Sequence, residues 1–408
     1  MTVTITPSAL KGSITPPPSK SQAHRLLIAA ALAQGESCIH NLSYSQDILA
    51  TLHCLEQLGA QVSREGASVR IRGLSRTAPA QLPHLDCRES GSTLRFLIPV
   101  ALAAAGGGVF TGAGRLLERP QGPYERLFAK QGISFDHTPS RITAEGRLTP
   151  GTYALPGDVS SQFITGLLYA LPLLEGDSHI VLTTPLESKN YVDMTLLALK
   201  AFGVTAHETE SGYFIPGGQH YSPNTLSVES DYSQAAFYYA ANGLGNDIQI
   251  QGLNPNSAQG DMRIVPYFHQ LQGKGPIELD VSQCPDLVPA LAVHAALRAG
   301  EDTAIVNAAR LRLKESDRLA AVTQELNRLG AQVEELEDAL LIHGVSTLHG
   351  GRVQAHNDHR IAMMLAVAAT RATGEVILTG AESVSKSYPD FWQDYAALGG
   401  RYTEGEDQ

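Results

Sequence analysis

Leu58-Gly59-Ala60-Gln61-Val62 closes a helical run early in the chain, and Leu329-Gly330-Ala331-Gln332-Val333 closes another far downstream. Ser188-Lys189-Asn190-Tyr191-Val192-Asp193 is echoed in the same way by Ser385-Lys386-Ser387-Tyr388-Pro389-Asp390. Helix ends and N-caps recur everywhere, so neither fragment alone says much. Their order decides the fold. Around them one succession repeats six times: a polar, usually Ser-rich cluster opens an apolar helix, and a Gly turn and a β-branched strand follow. A second amphipathic helix and a strand or hairpin complete the repeat. The openings are Ser19-Lys20-Ser21, Ser90-Gly91-Ser92, Ser160-Ser161-Gln162, Ser230-Asp231-Tyr232-Ser233, Cys284-Pro285-Asp286 and Asn357-Asp358-His359. They lie 71, 70, 70, 54 and 73 residues apart. The short fourth repeat shows no hairpin after its second helix, Val265 to Leu271.

A period near 70 is too long for a solenoid. Each repeat reads as a βαβαββ subdomain, so the fold class is α/β (α+β) with three repeats in each of two domains. The boundary falls near Gly217 to Asn224, a Gly/Pro/Ser/Asn-rich passage. An N-terminal strand, Thr2 to Ile5, precedes the first repeat and could complete either domain.

The 408 residues suffice for two domains, and 43% hydrophobic against 17% charged residues suit large cores rather than disorder. A net charge of −11 speaks against a nucleic-acid binder with a broad basic face. It also means that an anionic ligand must be held by local cations against the overall field. Cys38, Cys54, Cys87 and Cys284 form no CxxC pair and no zinc spacing, which suggests reduced thiols and no metal. The first residues lack a basic n-region and an apolar h-region, and the least charged stretch, Phe96 to Gly114, is broken by Pro99 and Gly106 to Gly108. A cytoplasmic protein without a membrane partner is expected.

Helix N-termini favour anions, so cations there cost stability unless something compensates. This chain repeats that placement. Lys20, His24 and Arg25 open the helix running to Ala33, and Arg95 follows Ser90-Gly91-Ser92-Thr93. Arg119 precedes Pro120, a residue suited to a first helical turn. Lys314 and Arg318 flank Glu315 at another helix start. His359 and Arg360 open the last repeat, and Lys386 is expected to open its second helix. One such cation is ordinarily a solvated side chain. Several, each beside an N-cap Ser, Gly or Asn, read as an anion site built from dipoles, backbone N–H groups, hydroxyls and cations. Since both halves contribute, a ligand between two domains is expected. No G-x-x-x-x-G-K-[ST] loop and no helix-opening G-x-G-x-x-G occur, so neither a nucleoside triphosphate nor a dinucleotide is implied.

Two carboxylates stand out among these cations. Asp286 follows Pro285 at a helix start, where the dipole alone would favour an acid. Glu315 between Lys314 and Arg318 could be a surface ion pair. Facing an anion site, the two would become a general base and a proton donor, and Lys20 could join them. Nothing resembles a G-x-S-x-G elbow.

Taken together, Ser19-Lys20-Ser21 with Arg25, Ser90-Gly91-Ser92-Thr93-Leu94-Arg95, Glu118-Arg119-Pro120, Ser160-Ser161-Gln162, Leu313-Lys314-Glu315-Ser316-Asp317-Arg318, Asn357-Asp358-His359-Arg360 and Ser385-Lys386 resemble the 5-enolpyruvylshikimate-3-phosphate synthase family. The motifs stand in the family's order and span almost the whole chain. The resemblance implies the two-domain enolpyruvyl transferase fold, with residues 19–226 inserted into a discontinuous domain of residues 1–18 and 227–408 and the active site in the interdomain cleft. It implies a monomer that closes on its two small-molecule substrates, shikimate 3-phosphate and phosphoenolpyruvate, in the shikimate pathway.

Position by position, Lys20, Ser21, Arg25, Ser160, Ser161 and Ser188 resemble the shikimate 3-phosphate contacts. Tyr191 resembles the residue lying against its ring, and Asp286 and Lys314 match positions that bind its hydroxyls. Gln162 resembles the bridge between the substrates. Lys20, Gly91, Arg119, Arg318, His359, Arg360 and Lys386 resemble the phosphoenolpyruvate site. Asp286, Glu315 and Lys20 match the proton-transfer groups of an addition–elimination through a tetrahedral ketal. That chemistry implies no cofactor, because the cations supply the electrostatics. Gly91 keeps the position where a larger side chain would crowd glyphosate, which implies sensitivity. Glu89 departs from the Asn of many members. The related transferase acting on UDP-N-acetylglucosamine fits less well: it uses a Lys-Asn pair and a loop cysteine, whereas Lys20 precedes Ser21 here and residues 111–123 contain no cysteine. A non-catalytic sensor of a phosphorylated metabolite would explain the cations but not the two carboxylates.

Overall fold

The computed structural model describes residues 1–74 and 81–405. Among them twelve helices alternate with short strands: α1 (Lys20–Leu32), α2 (Gln46–Gln57), α3 (Gly91–Ala105), α4 (Gly122–Lys130), α5 (Ser161–Ala170), α6 (Lys189–Ala201), α7 (Tyr232–Gly243), α8 (Ile264–Leu271), α9 (Val288–Ala296), α10 (Arg318–Arg328), α11 (His359–Ala369) and α12 (Phe391–Ala397). The second repeat displays the βαβαββ pattern most plainly. His84–Asp86 leads through α3 to Gly107–Thr111, which it pairs in parallel (His84 against Val109). After α4, Ser134–His137 and Ile142–Glu145 form an antiparallel hairpin whose second strand lies against Gly107–Thr111. The third and fifth repeats build four-stranded sheets in the same order.

The chain divides into two compact units, Lys20–Glu229 and the pair of segments Met1–Ser19 with Ser230–Gln408. In each, the sheets close by borrowing a strand from a distant part of the sequence. The first repeat takes its opening strand from Thr225–Ser227, parallel to Glu36–His40. The last repeat takes its final strand from the N-terminus: Thr2–Thr6 lies antiparallel between Val376–Thr379 and Arg401–Gly405. Lys11–Ile14 pairs in parallel with Asp247–Ile250 to form the two-stranded sheet of the fourth repeat, which has no hairpin. The N-terminal strands therefore belong with the C-terminal half.

The helices that open the repeats are buried on most sides. In α3 the residues from Thr93 to Leu102 are all buried, an environment that explains a nearly unbroken apolar run. Each Leu, Ile or Val enclosed this way contributes about 1.5–3 kcal/mol. Pro99 sits inside α3 and cannot donate to the carbonyl of Arg95 one turn earlier. The Tyr124 hydroxyl reaches that carbonyl at 2.8 Å. Gly166 on α5 lies over the same spot, where a Cβ would collide with the Arg95 carbonyl and the Tyr124 hydroxyl. The second unit is organised around α11, all of whose residues are buried. No helix among the described residues is long and apolar enough to cross a membrane.

Candidate active site

Within Lys20–Glu229, the first turns of α1, α3 and α5 carry the polar groups. Ser90 caps α3 by accepting from the Thr93 N–H, and Ser160 caps α5 by accepting from the Gln162 N–H. The cations that looked misplaced have partners. Lys20 Nζ meets Asp47 Oδ2 of α2 at 2.8 Å. Arg25 is buried. Its Nη2 and Nε donate to the Tyr191 carbonyl at 2.8 and 3.1 Å, its Nε also to Thr195 Oγ1 at 2.9 Å, and its Nη1 to the Ser21 carbonyl at 2.6 Å. Its guanidinium lies 5.8 Å from the centre of the Tyr191 ring, a cation–π distance. Burial lowers its pKa from the usual arginine value, against the pull of Tyr169 and Tyr191. Ser188, just before α6, is buried and held at φ 54°, a left-handed conformation costing roughly 1–3 kcal/mol for a residue with a side chain. Its carbonyl accepts from the Tyr191 N–H at 3.1 Å.

Gln162 is the junction of α3 and α5. Its Oε1 accepts from Arg95 Nη1 at 2.9 Å and its Nε2 donates to Ser92 Oγ at 3.1 Å. A Cβ on Gly91 would stand 2.8 Å from Arg119 Nη1 and 3.5 Å from Gln162 Oε1, so Gly91, Arg119 and Gln162 share one small space. Glu89 turns its carboxylate over Gly114: a Cβ there would lie 2.5 Å from Glu89 Oε2. We expect Gly91→Ala to push the Arg119 guanidinium aside and to raise the KM for an anion held there by about tenfold. Steady-state kinetics and a crystal structure of the variant check both parts. An unchanged KM with Arg119 in place would contradict it.

Within the second unit, Arg318 at the start of α10 holds three carboxylates and is itself fully buried. Its Nε donates to Asp358 Oδ2 at 2.8 Å, Nη1 to Asp286 Oδ1 at 2.9 Å and Nη2 to Glu315 Oε2 at 2.7 Å. Burial would lower its pKa, but Asp358, Glu315 and Asp286 more than offset this and raise it. Asp286 also meets Arg360, Nη2 to Oδ2 at 3.0 Å, and Lys314, Nζ to Oδ1 at 3.4 Å. Burial alone would raise the Asp286 pKa. Arg360, Lys314 and Arg318 outweigh it and hold the carboxyl well below the usual range. Burial lowers Lys314 more than its carboxylate neighbours restore it.

Three carboxylates and three cations thus form one cluster. Asp358, fully buried, caps α11 through the Arg360 N–H and accepts from Ser316 Oγ at 3.0 Å. Before it, His356 and Asn357 both adopt left-handed φ, 54° and 53°. Buried Glu325 pins this turn, meeting His356 Nε2 at 2.7 Å and accepting from the Gln354 N–H at 3.0 Å. Lys386 Nζ donates to the Asn357 carbonyl at 2.6 Å, and His359 lies buried on the first turn of α11.

Two local expectations need correction. Lys386 does not open a helix. It ends a 3-10 turn, Ala381–Lys386, and α12 begins only at Phe391. At a C-terminal end a cation suits the dipole. Pro120 lies outside α4, whose first turn holds Pro123 instead. Four positioning residues were missed: Asp358, Ser316, Asp47 and Thr195. Asp358 stood inside a quoted motif, but an N-cap acid gives no sequence signal of a second partner.

A family model described as EPSP synthase (3-phosphoshikimate 1-carboxyvinyltransferase) matches residues 5–395. The 3-phosphoshikimate 1-carboxyvinyltransferase of Clostridium perfringens (strain 13 / Type A) is 46% identical over 418 aligned residues, covering 98% of each chain. That of Clostridioides difficile (strain 630) is 44% identical, again covering 98% of each. Among solved structures, EPSP synthase from Acinetobacter baumannii superposes with a TM-score of 0.80 at 26% identity, covering 99% of this chain and 100% of that one. The enolpyruvyl transferase NikO from Streptomyces tendae reaches the same TM-score at 18% identity, over 100% and 99%, a likeness of fold.

Proposed function

The chain belongs to the EPSP synthase family, and on that premise we propose how its residues divide the work of one reaction. The enzyme moves the enolpyruvyl group of phosphoenolpyruvate to shikimate 3-phosphate, a step of aromatic amino-acid biosynthesis. Lys20, Ser21, Arg25, Ser160, Ser161, Ser188 and Tyr191 bind shikimate 3-phosphate, with Asp286 and Lys314 on its hydroxyls. Lys20, Gly91, Arg119, Arg318, His359, Arg360 and Lys386 bind phosphoenolpyruvate, and Gln162 touches both substrates. The 5-hydroxyl attacks C2 of phosphoenolpyruvate while C3 gains a proton. The resulting ketal loses phosphate and a C3 proton.

The observation that supports this reading is the gathering of Asp286 and Glu315 on the one buried guanidinium of Arg318. Asp286 meets Arg360, Lys314 and Arg318, so it stays ionised, and as a carboxylate it is assigned to accept the hydroxyl proton. Glu315 meets the same buried guanidinium, Arg318, at 2.7 Å, and is assigned the proton carried to and from C3. Lys20, aligned by Asp47, serves the leaving phosphate. The cations stabilise charge that develops on the phosphate and carboxylate oxygens, the electrostatic term that is commonly the largest.

The test is phosphate release from phosphoenolpyruvate with and without shikimate 3-phosphate. Release that depends strictly on shikimate 3-phosphate supports the reading. Tight binding of shikimate 3-phosphate with no release would favour a sensor instead.

A further inference from the structure

A chain of buried hydrogen bonds in Lys20–Glu229 joins the second turn of α1 to the N-cap of α3. His24 Nδ1 lies 2.8 Å from Thr51 Oγ1 of α2, Thr51 Oγ1 lies 2.7 Å from Thr93 Oγ1 of α3, and the Thr93 hydroxyl donates to Ser90 Oγ at 2.7 Å. His24, Thr51 and Thr93 are 0% exposed and Ser90 1%. Helix α2 presents Asp47 and Thr51, one turn apart, to Lys20 and His24, also one turn apart on α1. One helix with no substrate-binding residue assigned to it thus grips both the Lys20 ammonium and the relay.

The direction of this chain is fixed by counting hydrogens. A threonine hydroxyl has one proton to give. Thr93 gives its proton to Ser90, so between the two threonines Thr51 is the donor. Thr51 then has none left for the imidazole, and His24 must donate from Nδ1. The Nε2 atom is buried and has no hydrogen-bond partner among the described residues. A proton there would be an unsatisfied buried donor, which costs roughly 1–3 kcal/mol, whereas a bare lone pair costs less. Burial first, then Lys20 and Arg25, lower the His24 pKa, consistent with a neutral ring. Ser90 Oγ accepts from both the Thr93 hydroxyl and the Thr93 N–H, which leaves its own proton directed away from the relay.

The geometry points to His24, Thr51 and Thr93 as positioning residues that set the first two turns of α1 and the first turn of α3 relative to each other, with His24 acting as a neutral Nδ1–H donor. Lys20 and Arg25 sit on those turns of α1, Gly91 and Ser92 on that of α3. A neutral ring also avoids a third positive charge on the α1 N-terminus. This deepens the proposed reaction and rests on it for its kinetic consequence only.

The variant that tests the relay is Thr51→Val, which removes the hydroxyl at nearly constant volume, with Thr51→Ser as the conservative rescue. In Thr51→Val the KM for both substrates should rise about fivefold to tenfold, the size of one lost buried hydrogen bond, while kcat changes less than twofold. The proton-moving carboxylates belong to the other unit, and Lys20 keeps its own anchor on α2, the ion pair with Asp47. Thr51→Ser should recover most of the loss. Unchanged KM values, with or without a lower Tm, or a fall in kcat alone, would overturn the proposal. Ring nitrogen NMR decides the tautomer without turnover. The His24 signals, identified by their loss in His24→Asn or by their shift in Thr51→Val, should show Nδ1 protonated and Nε2 bare. An Nε2–H ring or an imidazolium would overturn the relay. If the parental protein shows no turnover the reaction itself fails, and the tautomer still rules on the relay.

Discussion

Glu315→Gln lowers the rate of phosphate release by about a hundredfold to ten-thousandfold, the range expected when a positioned acid–base group is lost. The substitution is nearly isosteric. Glu315 accepts from Arg318 Nη2 at 2.7 Å, and the glutamine carbonyl can accept the same hydrogen bond. What it cannot do is deliver or take a proton. The affinity for shikimate 3-phosphate, followed by calorimetry, should change little, because the phosphate contacts proposed above lie on other residues. A kcat within tenfold of the parental value would remove Glu315 from the proton path and move the role to Asp286. A matching loss of shikimate 3-phosphate binding would instead mean that the amide had disturbed Arg318. Deuterium exchange at C3 separates these outcomes further: the variant should lose exchange into recovered phosphoenolpyruvate together with phosphate release.

The six-fold repeat could be read from sequence because its punctuation is chemical. Ser90, Ser160, Asp231 and Asp358 cap their helices with side-chain oxygens, as the residue types predicted. The misplaced cations pointed to polar clusters because a buried Arg25 or Arg318 is tolerated only where partners are supplied. The missed parts lacked such signals. Thr225–Ser227 and Lys11–Ile14 are too short to show periodicity, and their sheet partners are remote in sequence. Helix α2 reads as an ordinary amphipathic helix, so nothing marked Asp47 or Thr51 as groups that orient α1. The turn before α11 was legible as a motif but not as a strained one, since the buried Glu325 that holds it comes from α10.

The second large effect concerns stability. Arg318→Leu leaves Asp286, Glu315 and Asp358 without the guanidinium that joins them, and Asp358 is wholly buried. Removing one partner of a buried ionic network costs about 3–5 kcal/mol, a large share of the roughly 5–15 kcal/mol that holds a typical protein folded. The Tm should drop by roughly 10 °C. The pH dependence identifies the cause. Asp286 has its folded pKa depressed, so its pairing contributes stability above its unfolded pKa near about 4 and loses it as pH falls toward the folded value. The gap between parental protein and Arg318→Leu should therefore be widest at neutral pH and narrow in acid. Arg318→Lys keeps the charge but not the fork that spans three carboxylates, and should recover part of the stability and little of the activity. A pH-independent gap would instead mean that the loss comes from packing around α10. A gap that narrows in acid, with Arg318→Lys intermediate, ties the fold of this unit to the same charges that the proposed mechanism uses.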